Sequence, residues 1–189
     1  MALREKLYSV DEFLEIARAE ENQAKRLELD EGMIVEMPPS SQKNTVIAMR
    51  IGRLLGNFVD QRDLGYVTGP DGGFQLSRNT VRQPDVAFIS KTRHPDLDGV
   101  VFPLAPDLVV EVMSPTEDIW PKVNQYFAAG TRLVWTVDVK DETLSVWQLA
   151  AQGGLHVQTY SADDIIDGGD VLPGFMLALR DVFPAVHIE

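Results

Sequence analysis

The stretches RQPDVAFIS (residues 82–90) and PDLVVEVMSP (residues 106–115) decide the fold, and a helical segment with Lys122 and Tyr126 follows them. Each stretch is an apolar strand pattern with one conspicuous carboxylate, Asp85 in the first and Glu111 in the second. A carboxylate in a buried strand is costly unless it is paired, hydrogen-bonded or bound to a metal. The two residues therefore predict a site for a divalent cation.

The alternation of side chains along DLVVEVM places residues 107, 109, 111 and 113 on one face of a strand and residues 108, 110 and 112 on the other. Both faces are largely apolar, which is typical of a central strand covered on both sides. If the strand of Asp85 is a neighbour, Asp85 and Glu111 could share one hard cation with water and phosphate oxygens. Lys122 would then supply positive charge.

The pattern Pro84-Asp85, followed by Glu111-Val112-Met113, resembles the PD-(D/E)xK signature of restriction-endonuclease-like nucleases. The wider series VRQPDVAF, LVVEVMSP, Lys122, Tyr126 and Gly130 is similar to one branch of that superfamily, the bacterial putative restriction endonuclease family of small uncharacterised proteins. The similarity extends from RLELDEGMIVEMPPSS (residues 26–41) to LPGFML (residues 172–177).

This resemblance implies an α/β (α+β) fold with a restriction-endonuclease-like core, in which helices flank a central mixed β-sheet and an N-terminal helix and hairpin are added. It also implies a magnesium-dependent endonuclease that hydrolyses DNA, with Mg²⁺ or Mn²⁺ as cofactor. Asp85, Glu111 and the main-chain carbonyl of Val112 would bind the metal. Lys122 would be catalytic, by positioning or helping to deprotonate the attacking water and by steadying the developing negative charge.

The sequence departs from the signature at two positions and leaves a third open. Met113 stands where the general signature has lysine, and Lys122 is the residue to which that role has moved in the resembled family. Asn44 stands where relatives commonly carry histidine. Glu28, between Leu27 and Leu29, is either an accessory acid of the site or a solvent-facing residue on an alternating strand.

Length and composition favour a single nuclease-like domain over residues 1–189, because 189 residues with 44% hydrophobic content suffice for one substantial core but not comfortably for two. The absence of cysteine excludes disulfides and thiolate zinc sites. Neither a signal peptide pattern nor a run of membrane-spanning length is present. We therefore expect a cytoplasmic protein without membrane contact, and a homodimer is compatible with this expectation.

The net charge of −12, from 17 Lys and Arg against 29 Asp and Glu, is unusual for a protein that acts on DNA. An acidic surface repels the phosphates that dominate nucleic-acid affinity, so strong non-specific binding is not expected. Arg78, Arg82, Lys91 and Arg93 flank the Asp85 strand. They form either a local basic rim or ordinary solvated charges.

Local patterns predict the remaining elements. Ser9–Glu21 reads as a helix with a capping box, and two short strands turn at Glu31-Gly32. A long amphipathic helix follows a cap at Ser40 or Ser41. A further helix is expected with Asp118 as N-cap, Pro121 at its third position and Gly130 at its end.

Two other functions fit the same residues. A nuclease-fold domain can serve as an inactive binding or assembly module, and Lys122 pointing away from the carboxylates would favour it. A sugar hydrolase could use Asp85 and Glu111 as acid and base, but it would need carboxyl groups roughly 5 to 9 Å apart and exposed aromatics around a cleft.

Overall fold

The computed structural model describes residues 6–115 and 117–183. Three α-helices, twelve strands and two short 3₁₀ turns succeed one another in these residues. The helices and strands are α1 (Val10–Arg18), β1 (Leu27–Asp30), β2 (Met33–Glu36), α2 (Gln42–Gln61), β3 (Gly65–Thr68), β4 (Phe74–Ser77), β5 (Thr80–Arg82), β6 (Val86–Ser90), β7 (Leu108–Val112), α3 (Trp120–Ala128), β8 (Leu133–Asp138), β9 (Thr143–Leu149), β10 (Leu155–Tyr160), β11 (Ile165–Gly168) and β12 (Leu172–Ala178).

The largest sheet has six strands in the order β10-β9-β8-β7-β6-β3. Only the β7 and β8 pair is parallel among its described pairings, and α3 connects these two strands. A parallel pair requires such a crossover, whereas antiparallel neighbours do not. The expected central mixed sheet is confirmed.

Strand β7 is buried on both faces, as its sequence predicts. Leu108, Val110 and Val112 belong to the main core cluster with residues of α2 and β12. Val109 packs on the opposite face with Val123 and other residues of α3. Since α2 and α3 cover opposite faces, the carboxylate of Glu111, on the same face of β7 as Val109, lies on the α3 side of the sheet.

A second sheet of four strands, in the order β2-β1-β5-β4, carries the N-terminal hairpin. The turn residues Glu31 and Gly32 both have positive φ, at 49° and 90°, which is the conformation of a tight hairpin turn. Helix α1 packs on this sheet through Val10 and Phe13. The expected helix and hairpin are confirmed.

Several boundaries differ from the sequence expectation. The capping box of Ser9 is present, but α1 ends at Arg18 and a separate 3₁₀ turn, Glu20–Asn22, follows. Ser41 caps α2. Ile119, not Asp118, is the N-cap of α3, which places Pro121 at the second helical position, where its missing N–H also costs nothing.

Strands β3 and β4 are separated by the sequence GPDGG (residues 69–73), which predicts a turn. They lie in different sheets, because β3 pairs with β6 whereas β4 pairs with β5. Strands β5 and β11 are not predicted from the sequence, since three or four residues carry too little pattern. Within the described residues, no helix has the length and apolar character to cross a membrane.

Candidate functional site

Asp85 and Glu111 lie beside each other at one end of two neighbouring strands. Val86 of β6 is opposite Val110 of antiparallel β7, so that Asp85, just before β6, falls opposite Glu111. The main-chain N–H of Val112 donates to Asp85 Oδ2 at 2.8 Å. The structure therefore brings together the two carboxylates that the sequence singles out.

Glu111 is buried and engages two side chains of α3. Its Oε1 accepts a hydrogen bond from Tyr126 Oη at 2.7 Å, and its Oε2 lies 3.8 Å from Lys122 Nζ. Burial, with a smaller contribution from the negative charge of Asp85, raises the pKa of Glu111 to about 7 against the positive charge of Lys122. A carboxyl so far from its ordinary pKa in a charged cluster is a functional-site candidate.

Lys122 points to the carboxylates from the first turn of α3. Its Nζ lies 2.9 Å from Glu117 Oε1, closer than to Glu111. Burial alone would lower the pKa of Lys122, but the nearby carboxylates, chiefly Glu111, outweigh it and the pKa lies above its usual value. Lys122 is therefore a cation, available to stabilise negative charge but not to accept a proton.

Asp85 occupies a more open position than Glu111. Its Oδ1 lies 3.9 Å from Arg26 Nη2, and its side chain is 15% exposed. Burial raises the pKa of Asp85, although the Val112 hydrogen bond and the charge of Arg26 oppose the shift. Both carboxyls of the pair are thus harder to ionise than in water.

The side chain of Asn44, in the first turn of α2, reaches the main chain just after Glu111. Its Nδ2 lies 3.3 Å from each of the main-chain oxygens of Val112 and Met113, and Ser41 Oγ donates to its Oδ1 at 2.8 Å. Asn44 therefore fixes the main chain after Glu111. It contacts the carbonyl that the resemblance assigns to metal binding.

Glu28 is fully buried, so its interpretation as a solvent-facing residue is wrong. Its Oε2 accepts from Arg82 Nη1 at 2.9 Å and its Oε1 from the main-chain N–H of Gln83 at 2.8 Å. Both oxygens are thus occupied next to the Asp85 segment. In this arrangement Glu28 forms a buried ion pair with Arg82.

Of the four basic residues that flank the Asp85 strand, three are paired with carboxylates and do not form an open basic rim. Arg82 is buried and lies against Glu28, Asp30 and Gln125, so it is not a surface charge. Lys91 pairs with Asp63, and Arg93 Nη1 lies 3.1 Å from Asp107 Oδ1. Only Arg78 of the four remains an exposed side chain with no ion-pair partner among the described residues.

The oxygen donors of the site suit a hard cation. Asp85, Glu111 and the Val112 carbonyl are the donors that could hold a metal, and no group of three or more His, Cys, Asp or Glu residues suited to metal binding occurs in residues 6–115 and 117–183. Mg²⁺ commonly uses one or two carboxylates and keeps several waters. Burial raises the pKa of both carboxyls, and a divalent cation bound between them would favour their ionised forms.

A groove of about 550 Å³ opens beside Asp85 and runs along α2. We name it the α2 groove; it lies between α2 residues from Asn44 to Asp60 and the segment 67–71, and Arg26, Ser40, Asp85 and Val86 complete it. Because Thr68 pairs with Ala87, the chain after β3 passes beside Val86 and Asp85. Glu111 and Lys122 do not line the groove, so Asp85 is the carboxylate that connects it to the site.

The aromatic residues do not favour a sugar hydrolase. Trp135 is buried, and Trp120 and Trp147 face each other with ring centroids 5.9 Å apart. None of the three lines the α2 groove. The aromatic platform expected around a sugar-binding cleft is therefore not found beside Asp85.

Residues 10–180 match the family model Uma2, described as "Putative restriction endonuclease". The chain belongs to this family. No curated protein matches the sequence. A crystal structure of a putative nuclease belonging to DUF820 from Anabaena variabilis has a TM-score of 0.77 and 20% sequence identity to the chain, and the match covers 93% of this chain and 97% of that one. The likeness shows that the two proteins share their fold, which confirms the predicted fold class.

Three contacts at the candidate site were not predicted from the sequence. They are the Arg26 contact with Asp85, the Glu117 contact with Lys122 and the hydrogen bond from Tyr126 to Glu111. The third could have been found, since Tyr126 lies four residues after Lys122 and so shares its helix face. Nothing in the local sequence distinguishes Arg26 or Glu117 from solvated charges.

Proposed function

We propose that the chain is a magnesium-dependent endonuclease that hydrolyses DNA phosphodiester bonds, with Mn²⁺ able to replace Mg²⁺. The observation that carries the proposal is the position of Lys122. Its Nζ lies 3.8 Å from Glu111 Oε2, although Met113 occupies the usual lysine position. Lys122 on helix α3 thus supplies the positive charge that Met113, just after strand β7, cannot provide.

Asp85, Glu111 and the main-chain carbonyl of Val112 would hold the metal. When bound, Mg²⁺ supplies Lewis-acid charge and an acidified water. Tyr126 donates to Glu111 Oε1 and thereby orients the carboxylate with Oε2 on the side of Lys122. Asn44 holds the main chain at Val112 and Met113, so that the carbonyl and the carboxylates keep their relative positions.

Lys122 acts as a fixed positive charge. In the metal-free protein the neighbouring carboxylates raise the pKa of Lys122 and keep the ammonium protonated, so that it donates hydrogen bonds. A charge placed before the reaction stabilises the extra negative charge of the phosphorane without reorganisation. This favours electrostatic stabilisation over general-base catalysis as its role.

The alternative is a catalytically inactive module with the same fold. The 2.9 Å contact between Lys122 Nζ and Glu117 favours this alternative, since Glu117 competes with a substrate phosphate for the lysine. An active enzyme must release Lys122 from Glu117 or share it. Cleavage assays decide between the two.

Replacement of Lys122 by alanine should lower cleavage by about 100-fold or more, because one preorganised charge is lost. The assay measures nicking of supercoiled plasmid and cutting of circular single-stranded DNA at saturating Mg²⁺. Lys140→Ala is the matched control, since Lys140 is an exposed lysine in the turn after β8. It should cleave like the wild type.

A comparison of Lys122→Ala with Asp85→Asn separates metal binding from catalysis. Lys122→Ala should keep the metal-dependent rise in melting temperature, which corresponds to about 2.7 kcal/mol at a metal concentration a hundredfold above Kd. Asp85→Asn should lose both this rise and cleavage. Undiminished cleavage by Lys122→Ala would remove the lysine from the reaction, and a wild type inert on both DNAs with Mg²⁺ and Mn²⁺ would favour the inactive module.

A further inference from the structure

Arg26 is a cation beside the candidate site whose hydrogen-bonding capacity is mostly unused. Its Nη2 donates to the main-chain oxygen of Gln83 at 2.6 Å and lies 3.9 Å from Asp85 Oδ1. Its Nε is buried without a partner, and no partner for Nη1 is found in the described part of the chain. Because Nε is buried, Nη1 is the guanidinium donor that is available to a phosphate oxygen.

The α2 groove that Arg26 lines is shaped for a small, flat and partly apolar group. Its walls include Ala48, Met49, Val67, Pro70 and Val86, and Gly52 and Gly56 add no side chain. Asn57 and Thr68 add polar side chains to the same walls. Apolar walls with a few hydrogen-bonding groups are typical of sites that bind the faces and edges of unpaired bases.

We propose that the α2 groove binds an unpaired DNA strand, with Arg26 on a backbone phosphate next to the site and a base between α2 and the end of β3. The substrate is then single-stranded or locally unpaired DNA, and continuous duplex is a poor one. This inference rests on the proposed function, because it makes Asp85 the point at which the bound strand meets the catalytic residues.

The size and the charge of the groove both favour one strand over two. A volume of about 550 Å³ is in the range of small-molecule sites, which accommodates a nucleotide or two but not a double helix. Duplex binding depends on many phosphate contacts with basic side chains. Arg26 and Arg53 are the only basic residues that line the groove among the described residues, and Asp60 and Asp71 line it as well.

Gly56→Leu tests the groove without disturbing the core. A Cβ at Gly56 would meet no atom within 4 Å, whereas a Cβ at Gly52 would lie 3.5 Å from Val86 Cγ2. Leucine also has a higher helix propensity than glycine, so the variant should fold. Val46→Leu is the control, because Val46 is exposed on the same helix and does not line the groove.

The measurement is fluorescence anisotropy of a labelled oligonucleotide, as a single strand and as a blunt duplex, with Ca²⁺ replacing Mg²⁺ so that binding is seen without cleavage. The wild type should bind the single strand about tenfold more tightly than the duplex, since each stacked base adds substantial affinity. Gly56→Leu should remove this preference by weakening single-strand binding about tenfold, with Gly56→Ala in between. Val46→Leu should match the wild type.

Arg26→Gln tests the phosphate contact independently of the groove volume. It should weaken binding of the single strand about tenfold, because it removes a charge-assisted contact to phosphate. Arg18→Gln makes the same charge change on α1, outside the groove, and should have no effect on single-strand binding. Melting curves of all variants establish that they are folded.

The outcomes separate this inference from the proposed function. Equal binding of single strand and duplex, or full single-strand binding by both Gly56→Leu and Arg26→Gln, would overturn the groove as the strand site even if plasmid is cleaved in an Asp85-dependent way. A single-strand preference that disappears in both variants would support it even if no cleavage occurs. In that last case the proposed nuclease activity would be wrong, whereas the proposed strand-binding groove would stand.

Discussion

Glu111 is buried at the end of β7 with Tyr126 on one oxygen and Lys122 near the other. The hydrogen bond and the ammonium both favour its ionised form, yet its pKa is raised to about 7 because burial outweighs them. Without a metal, the carboxyl therefore titrates near neutral pH. The cation that the proposed function requires would restore the ionised form.

The metal-free protein should lose stability as the pH rises from about 4.5 to about 7. The ordinary pKa of Glu111 is 4.5, so the folded protein binds more protons than the unfolded chain between that value and about 7. The stabilisation is fully present below the unfolded pKa and is lost as the pH rises through the folded pKa. A shift of this size corresponds to about 3 kcal/mol.

Urea unfolding with a chelator, at about pH 5 and about pH 7.5, measures this dependence in wild type and Glu111→Gln. The glutamine cannot ionise, so the variant should lack this part of the pH dependence and be the more stable of the two at the higher pH. The difference between the proteins removes the contribution of the other acidic groups. Parallel pH profiles would show that Glu111 does not titrate as described.

Arg82 connects three elements around the site. From β5 it contacts Glu28 and Asp30 on β1, and it also donates to Gln125 of α3 at 2.7 and 2.9 Å. The small sheet is thereby joined to the helix that carries Lys122. Burial would lower the pKa of Arg82, but the charges of Glu28 and Asp30 hold it above the ordinary value, so the residue is charged.

Arg82→Met should cost about 3–5 kcal/mol of unfolding free energy, because it leaves Glu28 buried without its cation. Chemical denaturation at neutral pH measures the loss. Arg18→Met is the control: Arg18 is exposed at the end of α1, and its replacement should remain within about 0.5 kcal/mol of wild type. If the two variants were equally stable, the buried pair would contribute no net stability.

The sequence suffices to predict the elements whose pattern is local. The alternation in DLVVEVM predicts a strand covered on both sides, and Ser9 with Glu12 predicts the start of α1. The placement of Arg82 is not local, because its partner Glu28 lies 54 residues away and an arginine after two β-formers also fits an exposed edge. For the same reason the segment GPDGG (residues 69–73) predicts a turn but does not reveal that β3 and β4 pair in different sheets.

The same distinction between local and long-range features applies to the candidate site. The carboxylates Asp85 and Glu111 stand out from the apolar strand patterns, whereas the role of Lys122 is implied by the family resemblance, because a lysine in the first turn of a helix is otherwise indistinguishable from a solvated charge. The contact of Arg26 with Asp85 depends on how the N-terminal sheet packs against β6. Only the pairing of β1 with β5, fixed at Leu29 and Val81, places Arg26 there.

At the scale of the whole molecule, the net charge of −12 is not offset by a basic surface at the site. Lys91, Arg93 and Arg82 are each engaged with a carboxylate. Beside Asp85 and Glu111, the attraction for DNA must therefore come chiefly from Arg26, Lys122 and the bound metal. A protein of this kind captures DNA by local contacts, because the long-range field of its net negative charge repels the DNA phosphates.

DNA binding should therefore be weak without a divalent cation, tighter with Ca²⁺, and only modestly dependent on salt. Two phosphate contacts to a single strand correspond to a slope of log K against log salt between about −1 and −2, since each contact contributes about −0.7. Anisotropy across a KCl series, with and without Ca²⁺, measures the slope, and Asp85→Asn should remove the effect of Ca²⁺. Tight binding without metal, or a slope steeper than about −4, would require about six or more phosphate contacts. Such a surface is incompatible with the paired arginines and lysines around β6, so this result would move the DNA-binding face away from Asp85.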